Sequence, residues 1–70
     1  MAKKIEIVVR ENVDYVQHAN AQYVAVLIIG GHSVVIDAAR TAPKLMERVR
    51  RTASLITEST DVPVDIRVED

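Results

Sequence analysis

From Ile5 onward the chain alternates. Ile5, Ile7 and Val9 occupy every second position, with Glu6 and Val8 between them, which is the period of a β-strand. Past Asn12 the spacing lengthens. Val13, Val16, Tyr23, Val24 and Leu27 recur at helical intervals, while Asp14, Gln17, His18, Ala21 and Ala25 fall on the other side. Asn12 suits an N-cap, Asp14 suits a first turn, and Gly30-Gly31 suits a C-cap with positive φ. This spacing predicts one long helix over 13–29.

A second reading competes for the same residues. Tyr23 to Ile29 is rich in β-formers, and Gly30-Gly31 before His32-Ser33-Val34-Val35-Ile36 suits a two-residue hairpin turn. Short apolar runs fit either period, so periodicity alone does not separate the two. The long helix is preferred because the hairpin leaves only a stunted helix between Arg10 and Gln22.

The remainder is plainer. Val34-Val35-Ile36 is a continuous apolar run, the pattern of a strand covered on both faces. Thr41 can cap a second helix, with Pro43 in a first turn that loses little by a missing N–H. Ala42, Leu45, Met46, Val49, Ala53 and Ile56 form its apolar stripe, and Ser59-Thr60-Asp61 ends it. Val62, Val64, Ile66 and Val68 then face one way, and Pro63, Asp65, Arg67 and Glu69 the other. The order is βαβαβ, an α/β domain (an α+β sandwich) with two helices on a small mixed sheet across residues 1–70. With the hairpin instead, the order becomes βαββαβ, which is ferredoxin-like.

Size and composition add a partner. At 70 residues the chain allows one domain, and 49% of it is hydrophobic without any cysteine to staple the fold. A homodimer is the natural way to cover that surplus, with the second helix or the last strand as the pairing surface. The absence of cysteine fits a reducing, cytoplasmic setting. Met1-Ala2-Lys3-Lys4 has no signal-peptide character, and the longest apolar run, Tyr23 to Ile29, is too short for a bilayer. No membrane association is expected.

Charge supplies the candidate chemistry. The formal net charge is −1, yet Arg40, Lys44, Arg48, Arg50 and Arg51 crowd one stretch. Arg40 stands just before a helix N-terminus, whose free N–H groups and positive dipole end favour an anion such as phosphate. Lys44 and Arg48 follow at one-turn intervals on the same side.

Catalysis finds little support. His18 has Asp14 four residues before it and Gln22 four after, the spacing of an ordinary surface contact. His32 beside Ser33 does not make a triad, which needs a base reaching the nucleophile in space and a third group behind it. Gly30-Gly31 lacks a dinucleotide or P-loop pattern and precedes a strand. Asp37, at the end of an apolar strand, is better suited to a backbone amide or a cation than to acid–base work. Tyr15 and Tyr23 read as core or interface residues rather than a stacking platform. No enzyme activity, metal or cofactor is expected.

Three segments resemble the Alba family, small archaeal chromatin proteins with relatives in ribonuclease P and MRP complexes. Val13-Asp14-Tyr15-Val16-Gln17-His18-Ala19 is similar to the opening of the family's first helix, V-x-N-Y-V-x-x-A. Gly31 to Ala42 is similar to the G-x-S-x-V-V-I-x-A-R-G-R-A segment, and Lys44-Leu45-Met46-Glu47-Arg48-Val49 to the start of the second helix. Departures are Arg10-Glu11-Asn12 in place of a basic pair, a single arginine in the turn at Ala39-Arg40-Thr41-Ala42, and an end after the third strand. The resemblance implies a non-enzymatic dimer that binds DNA or RNA through backbone phosphates, without sequence preference. Arg40, Lys44, Arg48 and Arg10 would be the contacts. The alternatives are a protein-interaction or scaffold domain that kept this fold without the nucleic acid, or a ferredoxin-like ligand-binding or enzyme-subunit domain.

Overall fold

A central strand buried on both faces has no polar side to mark its period, and Tyr23-Val-Ala-Val-Leu-Ile-Ile is such a strand. In the computed structural model, which describes residues 4–13 and 21–69, the elements run β1 (Ile5–Glu11), β2 (Tyr23–Ile29), β3 (His32–Ala39), α1 (Ala42–Thr60) and β4 (Val64–Val68). The four strands form one sheet in the order β3-β2-β1-β4. β1 pairs antiparallel with β2, and β2 antiparallel with β3, while β4 lies parallel to β1. The domain is therefore a small mixed α+β unit, with one helix packed on a four-stranded mixed sheet among the described residues.

The long helix over 13–29 is corrected by this sheet. Leu27 pairs with Val34, Ile28 with Ser33 and Ile29 with His32, which are hairpin contacts. Gly30 at φ 55° and Gly31 at φ 84° are both left-handed, as a two-residue turn of the I′ type requires, so they turn a hairpin instead of capping a helix. The ferredoxin-like order does not follow either. A βαβ unit delivers parallel strands, whereas β1 and β2 run antiparallel in continuous register from Ile5↔Ile29 to Glu11↔Tyr23. An Asn12 N–H to Gln22 carbonyl bond at 2.9 Å extends that ladder. Val13 is exposed. Positions 14–20, with Asp14, Tyr15 and His18 of the expected first helix, lie outside the described residues.

The second helix matches its expected pattern. Leu45, Val49 and Ala53, at four-residue intervals, are buried, with Ala42, Met46 and Ile56 half-buried beside them. They pack on Ile7 and Val9 of β1 and Ala25 of β2, with Val64 and Ile66 of β4 at the margin. Thr41 is the extended N-cap residue, though its side chain makes no cap hydrogen bond. Asp61 ends the helix in the left-handed region at φ 58°, its N–H donating to the Thr57 carbonyl at 2.8 Å.

Val34-Val35-Ile36 was expected to be covered on both faces. β3 is instead an outer strand, and all three side chains are exposed. β2 takes the inner position beside it, where Val24, Ala25 and Val26 are buried.

Candidate interaction surface

One extra residue in β3 decides which groups meet. Val26 pairs with Val35 and Ala25 with Asp37, so Ile36 is the unmatched residue of a β-bulge. Side chains alternate along a strand, and the bulge reverses the alternation. Asp37 thereby comes to the same face as Ala25, the face that α1 covers. There the Arg48 guanidinium donates to both carboxylate oxygens, through Nε to Oδ2 at 3.0 Å and through Nη2 to Oδ1, and it reaches the Ala38 carbonyl at 3.3 Å. Asp37 Oδ1 also accepts the Ala38 N–H at 2.8 Å. Asp37 thus meets both a backbone amide and a cation, as its position suggested. The pair is bidentate but partly solvated, so it contributes on the order of 1 kcal/mol by tying α1 to β3.

Of the expected contacts, the fold groups three and separates one. Arg40 lies exposed in the β3–α1 connection, Lys44 in the first turn of α1, and Arg48 one turn on, with its charge answered by Asp37. Arg10 is exposed on β1 but follows Val9, which faces the helix, so Arg10 belongs to the opposite sheet face. Among the described residues, Arg40, Lys44, Arg50 and Arg51 have no carboxylate within ion-pair distance. Lys44 in the first turn, with no acid there, and Glu58 in the last turn both oppose the helix dipole, so this charge pattern does not serve helix stability.

The remaining candidates fall into ordinary roles. His32 and Ser33 are consecutive strand residues, so their side chains project to opposite faces. Tyr23 is half-buried against the core. Gly30 and Gly31 form the hairpin turn. Among the described residues, no group of three histidine, cysteine or carboxylate side chains able to hold a metal occurs, and no helix is long and apolar enough to cross a membrane. An open groove between α1 and β4 is lined by Arg50, Ser54, Thr57, Glu58, Val64 and Ile66, and presents no nucleophile–base pair.

The two edges of the sheet differ in kind. β4 is bordered by Pro63 and carries Asp65 and Arg67, with Arg67 4.0 Å from Glu69; proline and charge are the devices that keep an edge from pairing. β3 has no charged residue from His32 to Ile36, counting His as neutral, and every residue in that run is exposed. Val34 is 57% exposed, Val35 43% and Ile36 36%, and Leu55 on α1 reaches 59%. Sequence reasoning passed over Leu55, although it stands off the apolar stripe of its helix as a large side chain with nothing to bury it. The signal for the β3 edge was also present: an apolar run free of charge immediately after a two-glycine turn. No family model matches the chain, and comparison with curated proteins and with solved structures finds no match for it either.

Proposed function

We propose that this protein is a non-enzymatic interaction module that takes an extended polypeptide strand at its β3 edge. The observation that carries this reading is the run His32–Ile36, exposed, uncharged and on an outer strand. Such an edge offers unpaired backbone N–H and C=O groups for affinity, and alternate apolar side chains for selectivity. Titration of isotope-labelled protein with a large excess of a blocked, uncharged Thr-Val peptide tests it. The peptide is expected to move the amide signals of Ser33, Val34 and Val35 and to leave those of α1 in place. Unmoved β3 signals at saturating peptide would overturn the reading.

One observation favours a second reading, in which the protein binds the phosphates of DNA or RNA as the Alba resemblance implies. Arg40 and Lys44 of the expected contacts are joined by Arg50 and Arg51, while Arg48 is taken by Asp37 and Arg10 lies on the other sheet face. Arg40, Lys44, Arg50 and Arg51 are exposed and unpaired among the described residues. A random-sequence duplex added at low salt would then shift the amides of Arg40 and Lys44, fading steeply as salt rises. A duplex that moves none of them at low salt removes this reading and leaves the first intact.

A further inference from the structure

The hairpin turn fixes which β3 backbone groups are open. In a two-residue hairpin the closing pair, here Ile29↔His32, is hydrogen-bonded, and bonded and non-bonded pairs alternate from there. Leu27↔Val34 is therefore a bonded pair, while Ile28↔Ser33 and Val26↔Val35 are not. Ser33 and Val35 accordingly direct their N–H and C=O groups outward, away from β2.

We propose that the strand received at this edge is β3 of a second copy of the chain, antiparallel, with Val34 on the two-fold axis. The inference rests on the reading of β3 as a strand-binding edge. Its register follows from the geometry. Outward groups must face outward groups, so Ser33 of one copy lies opposite Val35 of the other, and about four backbone hydrogen bonds form between them. Centring the axis on Ser33 would bring Gly31, left-handed in the turn, into the ladder. Centring it on Val35 would bring in the bulge at Ile36 and set Asp37 opposite Ser33. Only Val34 keeps the paired segment within His32–Ile36.

Charge and apolar surface agree with a self-complementary partner. No like charges meet across the axis, because His32–Ile36 carries none and Asp37 is answered within its own chain by Arg48. Leu55 adds to the same surface. It lies seven residues beyond Arg48, on the same side of α1, which reaches toward β3. The helix runs back from the Ala39 end of the sheet toward the end where Val64 pairs beside Ile5. Seven helical residues advance about 10.5 Å, while Asp37 and Val34, with Ile36 bulged between them, stand opposite Ala25 and Leu27, two ladder steps or about 7 Å apart. Leu55 thus lies within about one strand residue of Val34, which faces the helix side as the partner of core-packed Leu27. Val34, Val35, Ile36 and Leu55 account for most of the large apolar side chains exposed among the described residues; only Val13 and Val68 lie elsewhere. A two-fold axis perpendicular to the sheet joins two four-stranded sheets edge to edge and puts both copies of α1 on one face.

Sedimentation and NMR on the whole chain test the pairing. The expected result is a dimer of two 7.8 kDa chains, with an interchain Hα–Hα contact between the two Val34 residues in a mixed-label sample. Val34→Lys, which sets like charges opposite each other, should raise the dissociation constant by about tenfold or more while far-UV circular dichroism stays native. Val35→Pro removes an outward N–H and should do the same, and the wild-type interchain contact needs no variant at all. A dimer lacking that contact, or one indifferent to Val34→Lys, overturns the proposal. So does a chain monomeric at every concentration. If its Ser33 and Val35 amides then exchange freely, the edge is open and the strand-binding reading survives the loss of the second copy. If they are protected in the monomer, the edge is not free and both fall.

Discussion

Replacing Leu45 by alanine is expected to lower folding stability by about 3 kcal/mol, within the range for a fully buried leucine that leaves a cavity. Leu45 is 0% exposed and sits where α1 meets Ile7, Val9 and Ala25. A domain of this size has only a handful of kilocalories in total, so the midpoint of thermal unfolding should fall by roughly 15 °C. Urea titration at fixed protein concentration reads the loss. Leu55 is the internal control, on the same helix but 59% exposed. Its change to alanine should cost under about 0.5 kcal/mol when measured on monomeric protein. Similar losses at the two leucines would contradict the placement of the core.

Gly31→Val should be the other strongly destabilising change, by about 2 kcal/mol, because a β-branched residue is a poor occupant of the left-handed region. Gly31 has φ 84° and nothing within 4 Å of an added Cβ, so the cost arises from the backbone and not from a clash. Gly30→Asn is expected to be close to neutral. Asn-Gly is the favoured pair for a two-residue turn of this type, and Gly30 has φ 55°. Denaturant titration of the two variants distinguishes a hairpin turn from a simple helix cap. Equal, small effects at both positions would contradict the turn.

What could be read in advance was what a period could mark. β1 alternates because Glu6 and Arg10 break its apolar run, and α1 declares itself through Leu45, Val49 and Ala53 with Pro43 before them and Asp61 after. β2 could not declare itself. With Val24 and Val26 buried on one face and Ala25 on the other, its residues are apolar at every offset, and a helical spacing can be traced through them by chance. β3 has the same look as an inner strand, since composition does not tell which strand of a sheet ends up outermost. The Asp37–Arg48 pair depends on a single unmatched residue, Ile36, and a bulge leaves no mark that hydrophobic pattern can carry. Arg40 was the nearer cation in sequence, yet Arg48 is the one that the helix brings to Asp37.

The proposed pairing of β3 would account for how the two sheet edges differ. The proline and charges of β4 disfavour strand pairing at that edge, and most of the exposed large apolar side chains among the described residues gather at the opposite one. A dimer built there would also set the unpaired cations of both copies of α1 on one side, so the two proposed binding roles do not compete for surface.

The most direct measurement is amide hydrogen exchange along β3 as a function of protein concentration. Val34 bonds back to β2, and its amide should be protected in dilute and concentrated samples alike. Ser33 and Val35 should exchange freely in dilute protein and become protected as concentration rises, together and with the same midpoint as the sedimentation transition. Exchange at Ser33 and Val35 that does not change with concentration would contradict the account.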